Sequence, residues 1–197
     1  MLLVTLVLGL ASDLISKSVA FERIGGTPAR FTRQQVLEAD RLSSLLPDHQ
    51  PLTVVPSVLD LTLVLNPGAV FGIGAGQRWL FVTFTAFAVI FAMYVFAAWT
   101  RPRDRLAHFA IGLLLAGGVG NLYDRLRFAC VRDFLHPLPG VKMPFGITWP
   151  NGSGELWPYV SNIADLWLII GIGMLLVLCW RAPASDGVNA ASTSPDA

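Results

Sequence analysis

From Trp79 to Trp99 the chain runs for 21 residues without one charged side chain and with a tryptophan at each end. Roughly 20 mainly apolar residues cross a bilayer core as a helix, and tryptophan favours both membrane interfaces. This segment sets the class: an all-α membrane protein is expected. Three further stretches fit, residues 2–21, residues 107 to about 123 (short and glycine-rich) and residues 160–180. The composition agrees. Hydrophobic residues make up 54% and charged residues 14%, with a mean hydropathy of +0.59, whereas soluble domains carry roughly 25% charged residues. So much apolar surface excludes a disordered chain. A net charge of +1 gives no basic field for nucleic acid, and two cysteines are too few for a disulfide scaffold.

The short loop Arg101-Pro-Arg-Asp-Arg105 between the second and third spans marks the cytoplasmic side, and Arg181 after the fourth agrees. Four spans then leave both termini in the cytoplasm and place segments 22–78 and 124–159 outside. A cleaved signal peptide is the competing reading of the first span, since Ser18-Val-Ala20 resembles a cleavage site. Asp13 and Lys17 within it and the missing basic flank count against that. Residues 1–181 are expected to form one membrane-embedded domain. Val58 to Leu65 reads as a strand within a small extracytoplasmic β-rich element around 52–72, and Arg33 to Leu46 as a short amphipathic helix. The Ala/Ser/Pro/Asp-rich tail 182–197 is expected to be disordered and cytoplasmic. Cys130 and Cys179 fall on opposite sides of the core, too far apart to pair.

Polar residues inside the spans carry the chemistry, because charge there is costly. Asp13 and Lys17 lie four apart, share a helix face and can pair; a structural ion pair and a functional one explain them equally well. Asn66-Pro-Gly68 follows the strand: the glycine permits a tight turn, and Asn66 has both a donor and an acceptor with which to orient a substrate backbone. Gly117-Gly-Val-Gly-Asn121 closes the third span and delivers Asp124 and Arg125 to the outer interface, where they can form a surface ion pair. Asn162 can cap the fourth helix. Asp165, one turn inside it, must be protonated, paired or catalytic. Asp133 and Asp165 thus converge on one membrane face. Two carboxylates brought close share one proton and can activate water while protonating a leaving group. The rival reading is a small transporter or channel lined by Asp13, Lys17, Asp133 and Asp165. The charge-free inner halves of the second and fourth spans leave its path incomplete. His49, His108 and His136 lack metal-ligand spacing, so no metal and no cofactor is expected.

Taken in order, Asp13-Leu-Ile-Ser-Lys17, Asn66-Pro-Gly-Ala-Val-Phe71, Gly117-Gly-Val-Gly-Asn121, Asp124-Arg125, Val131-Arg-Asp-Phe134 and Asn162-Ile-Ala-Asp165 resemble the lipoprotein signal peptidase (signal peptidase II) family. The resemblance implies a four-helix aspartyl endopeptidase of the bacterial inner membrane that cuts diacylglyceryl-modified prolipoproteins on the amino side of the lipidated cysteine. It implies Asp133 and Asp165 as the catalytic pair, supported by Asn66, Gly68, Asn121, Asp124, Arg125, Asn162, Asp13 and Lys17. It also implies a site near the extracytoplasmic face. Membrane lipids are the other partners, and a monomer is expected. Three features depart from the family pattern. Arg132 stands where a small apolar residue is usual, and a cation there would favour ionised Asp133. Segment 136–159 is long enough for an enlarged flap, and segment 22–58 is also long.

Overall fold

The protein, as a computed structural model, is described over residues 1–68 and 78–181. The later part of the re-entrant motif, with Val70 and Phe71, and the tail 182–197 lie outside the described residues. Among the described residues, four helices are long and apolar enough to cross a membrane: α1 (Leu2–Arg23), α3 (Arg78–Trp99), α4 (Arg105–Phe128) and α5 (Ile163–Arg181).

The helices are inside-out relative to a soluble bundle. On α1 the buried stripe is Thr5, Gly9, Asp13, Lys17 and Phe21, a run at i, i+4 that keeps one face inward. Leu3, Val4, Val7, Leu8 and Ile15 point outward, as a lipid solvent permits. Helix α4 is central and packs against α1, α3 and α5. Small residues allow that approach. A Cβ on Gly9 would lie 2.8 Å from the Ala116 methyl, and one on Gly117 would collide with the Ala164 carbonyl and meet Leu168 Cγ at 2.8 Å. Gly117→Ala is therefore expected to destabilise the fold by about 1–3 kcal/mol through overpacking, read as a lower midpoint of thermal unfolding in detergent.

Helix α4 extends well past Tyr123, where the sequence suggested the span would end. The Asp124-Arg125 pair resembles an interface, but Asp124 is fully buried and the helix continues to Phe128. Ala129 adopts a left-handed conformation (φ 65°) and its N–H caps onto the Arg125 carbonyl. The chain then enters a strand absent from the sequence reading, β3 (Val131–Pro137). It completes an antiparallel sheet in the order β1 (Leu52–Val55), β2 (Leu59–Asn66), β3. The amphipathic helix expected over 33–46 is two pieces: α2 (Arg33–Glu38), with a Thr32/Gln35 capping box, and a 3-10 turn at Leu42–Leu45. Extended Ala39 breaks it, which lets Leu42, Leu45 and Leu46 turn onto the apolar cluster under the sheet.

Two tethers bring the sheet to the helices. The N–H groups of Phe134 and Leu135 both donate to the Ser161 carbonyl at 2.8 Å, and Ser161 N–H returns a bond to Leu135. The start of α5 is thereby held beside β3. On the other side, Ala164 N–H donates to Asp13 Oδ1 at 2.9 Å, which joins α5 to α1.

Candidate active site

Register decides which β3 side chains face the helices. Val64 pairs with Asp133 and Asn66 with Val131, so Asn66 and Asp133 are diagonal neighbours on one face. Asn66 Nδ2 donates to Asp133 Oδ2 at 3.0 Å. Alternation turns Arg132 to the other face. There it makes a two-pronged contact with Asp124 (Nη2 to Oδ1 2.9 Å) and stacks on Phe128 at 4.5 Å. This corrects two expectations. Arg132 does not neighbour the Asp133 carboxylate, and Asp124 pairs with Arg132 and Lys17 rather than with Arg125 at the surface.

Asn162 connects the carboxylates. Its Oδ1 accepts from Asp165 N–H at 3.1 Å, and its own N–H donates to Asp165 Oδ2 at 3.2 Å. This is a reciprocal capping box at the start of α5. The cap leaves Asn162 Nδ2 free to donate to Asp133 Oδ1 at 2.6 Å and Asn121 Oδ1 at 3.2 Å. Asn121 Nδ2 donates to Asp165 Oδ1 at 2.8 Å. All four carboxylate oxygens thus receive an N–H, and each keeps a second lone pair for another partner.

A donor on its oxygen orients each amide. Lys17 Nζ donates to Asn121 Oδ1 at 3.0 Å, and Gly68 N–H donates to Asn66 Oδ1 at 2.9 Å. Gly68 suits that turn because its φ is 103° and a Cβ would lie 2.6 Å from the Phe81 ring. Lys17 in turn pairs with Asp13 at 2.8 Å and approaches Asp124 at 3.5 Å, all three side chains fully buried. Arg125 Nη1 donates to the Asn121 carbonyl at 3.3 Å, its guanidinium lies over Phe81, and its buried Nε has no partner among the described residues. The candidate site residues Asp13, Lys17, Asn66, Gly68, Asn121, Asp124, Arg125, Asp133, Asn162 and Asp165 therefore belong to one connected set. The sequence reading missed Arg132 as the second cation on Asp124, for which strand alternation was the available signal.

The electrostatics favour the protonated form of Asp133. Burial pushes the Asp133 carboxyl up to about 7, and the Asp165 charge pushes the same way against the amide donors. Burial also pushes the nearby Cys130 thiol up to about 12, so it stays protonated and is a poor nucleophile.

The family model for Signal peptidase (SPase) II matches residues 5–181. The chain belongs to the signal peptidase II family. Among its relatives is the lipoprotein signal peptidase of Syntrophotalea carbinolica, 38% identical over 72% of this chain and 78% of that protein. That of Moorella thermoacetica is 37% identical over 74% and 86%, and that of Desulfitobacterium hafniense 34% over 66% and 74%. A bacterial membrane enzyme solved in meso at 2.3 Å resolution shares the fold, with a TM-score of 0.64 at 21% identity over 98% of this chain and 94% of that one. As a signal peptidase II family member with four apolar helices, this is a multi-pass bacterial membrane peptidase.

Proposed function

We propose that this chain removes signal peptides from diacylglyceryl-modified prolipoproteins, cutting on the amino side of the lipidated cysteine, with Asp133 and Asp165 as the catalytic pair. The observation that carries the reading is Asn162, which holds both aspartates at the buried junction of β3 and α5. One carboxylate takes a proton from water, whose oxygen attacks the scissile carbonyl. The other, protonated, donates to the carbonyl oxygen to give a gem-diol. As the gem-diol collapses and the C–N bond breaks, one hydroxyl proton returns to that carboxylate and the first carboxylate passes the proton it took from water to the leaving amine. Asn66, Asn121 and Asn162 fix the carboxylates. The Asp13–Lys17–Asp124 cluster fixes Asn121, and Arg125 lies beside it to orient the substrate. Residues 1–181 act as one monomeric domain, with both termini cytoplasmic, the site near the extracytoplasmic face and the acyl chains of the substrate in contact with membrane lipid.

The test is cleavage of a purified diacylglyceryl-modified prolipoprotein in detergent. The product is expected to begin at the lipidated cysteine, and the unmodified precursor is expected to remain intact. Cutting elsewhere, or equal cutting of both precursors, would sink the reading. The same assay gives a pH prediction. One carboxyl must hold a proton to act as the acid, so activity is expected to fall as pH rises through about 7, where Asp133 loses its proton. Separately, a reporter fused after Arg103 is expected to read as cytoplasmic; an extracytoplasmic signal would invert the site.

A further inference from the structure

At the end of the bundle remote from the aspartates, the ends of α3, α4 and α5 enclose a cavity of about 600 Å³. That lies within the roughly 300–1,000 Å³ of small-molecule sites. Arg105 and Asn121 are 16 residues apart on α4, so about 24 Å separates this cavity from the catalytic machinery. Its walls are apolar, from Val95, Ile111, Leu175 and Leu178, and its rim carries Arg103 and Arg105. Exposed Trp99, which lines it, and exposed Trp180 set its depth at a membrane interface.

The rim charge is net positive, with Arg103 and Arg105 against the single carboxylate of Asp104. Among the described residues, Arg101, Arg103, Arg105 and Arg181 have no ion-pair partner. The one rim carboxylate, Asp104, accepts the Arg101 backbone N–H at 2.8 Å. The rim hydroxyl of Thr100 is bonded to the Phe96 carbonyl and contacts His108 Nε2. A cationic rim, apolar walls and interfacial depth together complement an anionic lipid, and basic pockets between helices on the cytoplasmic side bind such head groups. The chain's own tail fits less well. Residues 182–197 carry Asp186 and Asp196 but only Val188 as a large aliphatic side chain, so they cannot fill the apolar walls.

We propose that this cavity is a binding site for one anionic glycerophospholipid of the cytoplasmic leaflet, with its phosphate on Arg103 and Arg105 and an acyl chain between α3 and α5. The leaflet rests on the topology proposed above; the binding itself does not. Neither arginine belongs to the catalytic set, so lipid binding and peptidase activity are read separately.

Delipidated protein in detergent is titrated with dioleoyl phosphatidylglycerol or dioleoyl phosphatidylcholine, and bound lipid is counted by native mass spectrometry. Cys179 lines the cavity and is exposed, whereas Cys130 is buried, so alkylation of Cys179 by a neutral maleimide reports occupancy of this place. One phosphatidylglycerol is expected to bind and slow the alkylation, with phosphatidylcholine doing neither. Arg103→Ala with Arg105→Ala is expected to weaken phosphatidylglycerol roughly 25-fold, at about five-fold per arginine. Leu178→Trp, which fills the wall and keeps the arginines, is expected to exclude the lipid. Equal binding of both lipids, phosphatidylglycerol binding unchanged in the double variant, or bound lipid that leaves Cys179 unprotected would each overturn the proposal. So would protection by inorganic phosphate alone, which marks a lipid-free anion site. Lipid-free protection that disappears on deletion of residues 182–197 would assign the cavity to the tail.

Discussion

Asp133→Asn and Asp165→Asn are each expected to lower kcat by roughly 10⁴-fold, the scale on which members of one catalytic unit fail singly. The double variant should be little worse than either single one, because half of a proton-sharing pair does no partial work. Asparagine keeps the shape but brings an NH₂ where the amides of Asn66, Asn121 and Asn162 already donate. The single amide oxygen can accept from only one of the two N–H donors that meet each carboxylate, so each variant is also expected to lose one of those hydrogen bonds. Unfolding midpoints close to wild type would show that the loss is chemical. A variant that retains a near-normal rate removes that aspartate from the mechanism.

Lys17→Met carries the largest expected effect on stability. Lys17 is fully buried between Asp13 and Asp124 and also holds Asn121. Removing one partner from a buried ion cluster costs about 3–5 kcal/mol, because charge is left uncompensated. For a chain of this size the unfolding midpoint should drop by roughly 10 °C. Activity should fall with it, since the Asn121 oxygen loses the shorter of its two donors, leaving only Asn162 Nδ2 to hold the amide toward Asp165. Lys17→Met combined with Asp13→Leu removes charge of both signs and is expected to recover part of the stability but not the activity. Recovery of both would show that Lys17 does not act through Asn121.

Much of this arrangement was legible in the sequence, for physical reasons that differ from residue to residue. The spans were legible because lipid tolerates no charge, so Trp79–Trp99 identifies itself. Asp165 was legible because a carboxylate one turn into an apolar helix needs a reason. The end of α4 was misread because polarity served as a proxy for the interface. Asp124 is polar yet satisfied from two sides, by Lys17 from α1 and Arg132 from β3, and neither partner is adjacent in sequence. Strand β3 escaped because its seven residues mix Arg, Asp and His into a short apolar run. Its pairing is supplied by β2 and Ser161, at long sequence separation. Arg132 was placed beside the Asp133 carboxylate because neighbours in sequence look like neighbours in space, and a strand makes consecutive side chains diverge.

The tight glycine contacts among α1, α4 and α5 also bear on electrical insulation. A carboxylate pair that shares a mobile proton, sunk into an energised membrane, is one half of a leak. The other half would be a column of water or a ladder of titratable groups down to the far side. Residues 2–12, 79–99, 109–120 and 166–180 contain no carboxyl, amine or imidazole. At Gly9, Gly112 and Gly171 an added Cβ would already lie 2.8 Å from Ala116, Thr5 and the Ala110 carbonyl, which leaves no room for water along those seams. On the mechanism and topology proposed above, the packed stretch between the aspartates and the cavity at the far end is a dielectric plug, and protons taken up by the pair return to the side from which they came.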